Sequence, residues 1–233
     1  MNILAFDTCF DACSAAAGRG LRSLTPRIAC RYEPMATGQA ERLIPMIETV
    51  MDEAGLAFTG LNRITVTIGP GTFTGTRIAV SAARALSLAT GAPIVPLSSL
   101  TLMAMNPRIP SLRGSKLVIA TDARRDEVYL QRVDAHTLLP LGPATAVAVS
   151  QSAAAIGPGP AVIAGSGAIR VAEAARAAGI DATAVLPDLL PDALDMLFAS
   201  ASLPVAVSAV NPLYLRPPDA KPPTAPPLHG AGA

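Results

Sequence analysis

The fold is decided by residues 63–91, which read R-I-T-V-T-I-G-P-G-T-F-T-G-T-R-I-A-V-S-A-A-R-A-L-S-L-A-T-G. Apolar residues alternate with threonines over residues 64–68, which predicts a strand with a period of two. Gly69-Pro70-Gly71 then ends the strand, because proline fixes its own φ and glycine reaches angles closed to other residues. A helix is predicted over residues 76–91, since glycine commonly follows a helix C-terminus. A strand, a glycine-rich loop and a helix in this order can present free backbone N–H groups to an anion.

The loop lacks the spacing of two well-known phosphate-binding motifs. No lysine follows its glycines, and Thr74 stands where G-x-G-x-x-G requires the third glycine. The residues alone favour a tight turn without a ligand and leave a vestigial phosphate or nucleotide loop as the alternative. The candidate residues of that loop are Asp7 and Thr8, which end the first predicted strand, with Gly69, Gly71, Thr72 and Gly75.

The composition limits the classes of function. The chain has 233 residues, of which 51% are apolar and only 3% aromatic, so we expect a sizeable aliphatic core. A net charge of +1 gives no general attraction to nucleic acid or to a membrane surface. The three cysteines form no C-x-x-C pair, no signal-peptide pattern is evident, and no apolar run could span a membrane, so we expect a cytoplasmic protein. The two histidines, His136 and His229, have no ligand spacing, so neither a metal nor a cofactor is predicted.

The opening pattern of the chain recurs at an offset of 115 residues. Residues 4–8 read L-A-F-D-T and residues 119–123 read I-A-T-D-A, and each copy leads into a further strand. A duplicated α/β fold is the economical interpretation. We predict an N-terminal lobe over residues 1–104, a C-terminal lobe over residues 105–216, each with a mixed sheet and packed helices, and a disordered proline-rich tail over residues 217–233.

Two helices of the first lobe carry a candidate partner surface. Apolar residues recur at helical spacing over residues 40–54, with Pro45 expected to kink that helix or to mark its first turn. The central helix has a polar stripe on one side and small apolar residues on the other, which lets a second helix approach closely. An ordinary solvated face is the alternative. The predicted interface residues are Glu41, Arg42, Pro45, Met46, Arg77, Val80, Ser81, Arg84 and Leu88.

The loop and the helix after it resemble a known family signature. G-P-G-T-F-T-G-T-R-I, residues 69–78, is similar to the G-P-G-S-F-T-G-L-R-I of the bacterial TsaB (YeaZ) family, with Thr72 in place of serine and Thr76 in place of leucine. The resemblance spans nearly the whole chain in family order. It continues in residues 3–8, 41–47, 96–100, 122–129 and 212–216.

This resemblance implies an actin-like ATPase fold and a non-catalytic role. TsaB proteins are required for the transfer of a threonylcarbamoyl group to the adenosine beside the tRNA anticodon. They act as dimer partner of the catalytic subunit TsaD, together with the ATPase TsaE. The helices of the N-terminal lobe would pack on TsaD, or on a second copy when TsaD is absent, and tRNA contact would be indirect. Many members have His-Ser-Glu where this chain has Gln39-Ala40-Glu41, so a serine nucleophile would lack a base.

Two alternatives stay open on the sequence. The first is a small actin-like ATPase or phosphotransferase that uses Asp7 and the loop of residues 69–75. The second is a self-contained homodimer with a separate scaffold role.

Overall fold

A computed structural model of the chain describes residues 1–110 and 115–216. The first half forms a five-stranded mixed sheet in the order β3-β2-β1-β4-β5, in which β1 is antiparallel to β2 and parallel to β4. Its strands are β1 (Ile3–Asp7), β2 (Ala12–Arg19), β3 (Arg27–Pro34), β4 (Arg63–Thr67) and β5 (Ile94–Leu97).

The second half repeats this sheet. Its order is β10-β9-β6-β7-β8, so β6 takes the position of β1 and β9 takes that of β4. The strands are β6 (Lys116–Asp122), β7 (Glu127–Val133), β8 (Thr145–Ala148), β9 (Ala161–Ala164) and β10 (Ala182–Val185). No strand crosses from one sheet to the other within the described residues, and the predicted duplicated α/β architecture is confirmed.

Within the described residues, three α-helices belong to each half. They are α1 (Gln39–Glu53), α2 (Phe73–Thr90), α3 (Ser99–Ala104), α4 (Ser152–Ile156), α5 (Ala168–Ala177) and α6 (Ala193–Ala199). α2 begins earlier than predicted because the Thr72 hydroxyl accepts a hydrogen bond from the Gly75 N–H at 3.1 Å and caps the helix. It ends, as predicted, at Gly91 in the left-handed region. Pro45 lies well inside α1 and not in its first turn.

The core of the first half lies between its sheet and two helices. α1 and α2 pack on the same face of the sheet and contact each other. α1 supplies large aliphatic side chains such as Leu43 and Ile47, whereas α2 supplies Ala79 and Ala83. The small side chains of α2 let its backbone lie close to the sheet.

The third helix of each half packs on the sheet of the other half. Met196 and Leu197 of α6 pack against Ile3 and Ala5 of β1, on the face of the first sheet opposite α1. Leu100 and Met103 of α3 pack in turn against β6 of the second sheet. The predicted division between residues 104 and 105 therefore separates the strands of the two sheets but not the helices that cover them.

The end of the described chain returns to the first half. The Ala206 N–H donates to the Ile94 carbonyl at 2.8 Å, and the Leu213 N–H donates to the Ile68 carbonyl at 2.6 Å. The predicted tail, residues 217–233, lies outside the described residues, as do residues 111–114 near the predicted lobe boundary. Across the part of the chain that is described, no helix is both long and apolar enough to cross a membrane.

Candidate functional site

The glycine-rich loop is packed directly on the turn that follows β1. The Thr72 N–H donates to the Cys9 carbonyl at 2.7 Å, and the Thr8 hydroxyl donates to the Gly75 carbonyl at 2.7 Å. A Cβ at Gly71 would lie 2.2 Å from the Cys9 carbonyl oxygen, and one at Gly75 would lie 1.9 Å from the Thr8 carbonyl oxygen. The close approach of two backbones accounts for both glycines without any ligand.

Asp7 is fully buried beneath this loop. Its Oδ1 accepts hydrogen bonds from the Thr67 hydroxyl and from the Cys9 N–H, the latter at 3.2 Å, while Oδ2 has no partner among the described residues. Burial raises the pKa of Asp7 to about 6, although these hydrogen bonds act in the opposite direction. Thr8 is also fully buried. Neither side chain can touch a metal or a phosphate in the solvent, which weighs against the ATPase alternative.

The counterpart of Asp7 in the second half lies in a different environment. Asp122 is exposed, and one of its oxygens lies 3.2 Å from the Arg170 guanidinium, which also pairs with Asp126. The Asp122 N–H donates to the Ser166 hydroxyl at 3.0 Å. The duplicated acidic positions are therefore equivalent in the fold but not in chemistry.

A cavity of about 680 Å³ separates the loop from the second half. Its walls come from residues 70–74, from the hairpin that contains Asp122 and from residues 213–216. Arg216 pairs with Glu127 across one side of this cavity. The sequence did not predict the cavity, because its walls come from segments far apart in the chain.

The exposed side of α1 agrees only partly with the predicted interface. Glu41 and Pro45 are exposed, and Ile44, which was not predicted, is 45% exposed. Arg42 is turned toward β3, where its Nε lies 2.6 Å from a Glu33 carboxylate oxygen. Met46 is fully buried in the core, so its assignment to an exposed surface is wrong.

The exposed side of α2 follows the predicted stripe with one exception. Arg77, Ser81, Arg84 and Leu88 are exposed, and Leu88 is 90% exposed. Val80 is buried beside Ala79 and Ala83 in the core of the first half, so the exposed stripe of α2 does not include it. Its assignment to the interface is also wrong.

Two arginines of α2 are held by the C-terminal segment. The Arg77 guanidinium lies 3.7 Å above the Phe73 ring, and its Nε donates to the Tyr214 hydroxyl at 2.9 Å. Arg84 donates to the Asn211 side-chain oxygen at 2.7 Å. These contacts fix the arginines without neutralising their charge. No local pattern predicts these contacts, since they join residues more than a hundred positions apart.

We group the exposed residues of these two contacting helices under the name helix face. The group combines apolar and small side chains with charged ones, as many protein interfaces do. The helix face consists of Glu41, Ile44, Pro45, Ser81, Arg84, Ala85 and Leu88.

Comparison with known proteins gives consistent matches. Residues 33–201 match the family model described as "TsaD: tRNA N6-adenosine threonylcarbamoyltransferase". The chain is 32% identical over 134 residues to the tRNA threonylcarbamoyladenosine biosynthesis protein TsaB of Haemophilus influenzae, which covers 57% of this chain and 54% of that protein. The chain thus spans about half the length of the curated TsaB relatives it matches.

Two solved structures from Pseudomonas aeruginosa match over nearly their whole length. One is described as an uncharacterized protein with similarity to peptidase YEAZ, with a TM-score of 0.75 and 31% identity over 92% of this chain and 99% of that one. The other is YeaZ, with a TM-score of 0.74, 29% identity and the same coverage. With the duplicated sheets, these matches confirm the predicted actin-like α/β fold.

Proposed function

The chain belongs to the TsaB (YeaZ) family, within the wider family whose model is described as TsaD, and from this membership we propose that it acts in the biosynthesis of threonylcarbamoyladenosine in tRNA. Its role is that of a non-catalytic subunit. It binds a catalytic TsaD subunit, beside the ATPase TsaE, and holds it in the arrangement that transfers the threonylcarbamoyl group to the adenosine next to the anticodon.

The helix face is the observation that carries this proposal. A lasting protein interface buries more than about 1,000 Å² in total, and two adjacent helices of the length of α1 and α2 can supply such an area. Leu88, 90% exposed, can enter a pocket of the partner, while Ser81 and Ala85 let a partner helix come close. Arg84 at the edge can meet a carboxylate.

The buried state of the chemically active groups near the loop supports a non-catalytic role. Burial raises the pKa of the Cys9 thiol far above its usual range, so this group stays a protonated thiol. Asp7 is equally buried. Gln39 donates from its side-chain amide to the Met35 carbonyl at 3.0 Å, and this contact links the start of α1 to the end of β3. The groups that could start a reaction here are enclosed by the protein.

The remaining parts of the proposal concern assembly. In the absence of TsaD, the helix face pairs with that of a second copy. Contact with tRNA occurs through the complex. The protein acts in the cytoplasm. We infer these features from family membership. All of them depend on the binding of TsaD to the helix face, which the following experiment tests.

Ser81→Trp tests the helix face. The side chain of residue 81 is exposed, so a bulky substitute leaves the core untouched but keeps a partner helix away. We expect at least about a ten-fold loss of affinity for TsaD, mainly through faster dissociation, with a matching fall in tRNA threonylcarbamoyl transfer. Co-purification with TsaD and a reconstituted transfer assay, with and without this chain, measure both effects.

Ala177→Trp is the matched control. Ala177 is exposed on α5, the helix of the second half that corresponds to α2. It should bind TsaD as the parent does. If the Ser81 and Ala177 variants fold and bind TsaD equally well, the partner surface lies elsewhere. If transfer proceeds at the full rate without this chain, the proposed function itself is wrong.

A further inference from the structure

β3 leaves an open edge on the first sheet. It is eight residues long and stands at the end of the strand order, with β2 as its neighbour on one side only among the described strands. An exposed edge of this length presents a row of unpaired backbone groups to any strand of matching pattern. Natural proteins usually shorten such an edge or cover it.

The hydrogen bonds to β2 tell which residues of β3 face outward. The Met35 N–H donates to the Asp11 carbonyl at 3.0 Å, in the same register that pairs β3 with β2. Backbone groups alternate along an antiparallel strand, so the odd-numbered residues of β3 bond to β2. The N–H and C=O groups of Ile28, Cys30 and Tyr32 therefore point to the open edge. In agreement, the Cys30 carbonyl accepts a bond from the Arg31 guanidinium at 2.8 Å.

The side chains of β3 divide into two rows. Arg31 and Glu33 lie on the side of α1, where they pair with Glu53 and Arg42. The second row, Ile28, Cys30 and Tyr32, lies on the opposite side of the sheet and is exposed, with Ile28 at 38% and Tyr32 at 40%. The outward-facing backbone thus coincides with a row of uncharged, partly apolar side chains.

We propose that β3 pairs with β3 of a second copy of this chain, antiparallel, with Cys30 opposite Cys30. In this register Ile28 lies opposite Tyr32 of the second copy, which joins an aliphatic and an aromatic side chain on each side of the centre. On the other face Arg27 lies opposite Glu33 of the second copy, so the charges are complementary at both ends. The pairing is self-complementary, as a two-fold dimer requires.

The neighbouring registers are less favourable. Centring the pair on Arg31 sets two guanidinium groups opposite each other and matches Ile28 with Pro34, which has no N–H to donate. Centring it on Ala29 matches Tyr32 with Pro26, which lies outside β3. The register centred on Cys30 is the one that uses all three outward-facing residues.

The resulting dimer has one continuous ten-stranded sheet and does not use the helix face. α1 packs against β3 through its buried side, and the exposed side of α1 points away from the sheet. A copy bound through β3 can therefore still bind TsaD. This pairing differs from the helix-to-helix homodimer proposed above and is independent of it.

Cysteine cross-linking tests the register. Cα atoms of a hydrogen-bonded antiparallel pair are about 5.5 Å apart, within the range of about 4.4 to 6.8 Å that a disulfide spans. With a copper–phenanthroline catalyst and dissolved oxygen as the oxidant, the full-length chain should form a Cys30–Cys30 linked dimer. The buried Cys9 and Cys13 should stay reduced.

Two variants in a Cys30→Ser background make the test specific. One adds Ile28→Cys and the other Tyr32→Cys. The mixture should cross-link, because residues 28 and 32 lie opposite each other. Neither variant alone should do so, because like residues are then about 14 Å apart along the strands. Self-cross-linking of either variant at the rate of the mixture, or no Cys30 dimer in the parent, overturns the proposal.

Light scattering of the reduced chain completes the test. Ile28→Lys places a charge in the apolar row and should raise the dimer dissociation constant about ten-fold or more. Leu88→Lys, on the helix face, should weaken the helix-to-helix homodimer and TsaD binding but leave the yield of the Cys30-linked dimer unchanged. The reverse result assigns self-association to the helix face and rejects the edge pairing. A parent chain that stays monomeric at all concentrations also rejects it.

Discussion

Asp7 is a carboxyl group that the fold has removed from water. One oxygen accepts two hydrogen bonds from Thr67 and Cys9, and the other accepts none among the described residues. Burial outweighs the hydrogen bonds and raises its pKa from 3.8 to about 6. A raised acid pKa means that the folded state prefers the proton more strongly than the unfolded chain does.

The free energy of unfolding should therefore depend on the ionisation of Asp7 below neutral pH. Below about pH 4 both states hold the proton, and ionisation opposes folding increasingly as the pH rises through about 6. Above about pH 6 the ionised Asp7 lowers the free energy of unfolding by about 3 kcal/mol. Asp7→Asn removes this dependence, so parent and variant should diverge by that amount between these pH values, measured by urea denaturation. Parallel pH profiles would show that Asp7 titrates normally.

The loop between β4 and α2 is the element in which sequence and packing are most tightly linked. The number and spacing of its glycines predicted a tight turn. The structure shows why glycine is required there, because the turn after β1 lies directly against the loop. Gly75 is a helical residue, where alanine would ordinarily be preferred by up to about 1 kcal/mol. The space for a Cβ is already occupied by the Thr8 carbonyl oxygen, at 1.9 Å.

Gly75→Ala should consequently destabilise the protein by about 3 kcal/mol or more, against its helix propensity. Gly142→Ala is the control, because a Cβ there meets nothing within 4 Å. It should change the unfolding free energy by less than about 0.5 kcal/mol. Thermal and urea denaturation of the two variants give the comparison. A Gly75 variant as stable as the parent would mean that the loop can move away from Thr8.

The sequence predicted the long helices and missed the short ones for a physical reason. α1 and α2 span enough turns to show a helical period, whereas α3, α4 and α6 span one or two turns. The candidate site was also predicted only in part. The helical spacing identified the exposed stripe of α2, but it did not show that Val80, at the margin of the stripe, faces the core. Contacts such as Arg77 with Tyr214 depend on the path of the whole chain, which no local pattern encodes.

At the scale of the whole molecule, the exchange of third helices joins the two halves into one cooperative unit. Met196 of α6 is fully buried against the sheet of the first half, whereas Phe198 on the same helix is 61% exposed. Met196→Ala should lower the unfolding free energy by about 2 to 5 kcal/mol, and Phe198→Ala by less than about 1 kcal/mol.

Hydrogen exchange then shows which parts of the chain Met196→Ala destabilises. Amides of β1 and β2 should lose protection in the Met196 variant, although the substitution lies in the second half of the chain. Loss confined to residues around α6 would mean that the first half is stable without this helix.

The exchanged helices also have a consequence for synthesis of the protein. A growing chain completes the first sheet when β5 leaves the ribosome, but α6, which covers one face of that sheet, emerges about a hundred residues later. At the speed of translation this delay lasts several seconds or longer. Through that interval the nascent chain exposes Ile3, Ala5 and Leu97 to solvent, and a holdase chaperone at the ribosome exit is suited to shield them until the last helix emerges.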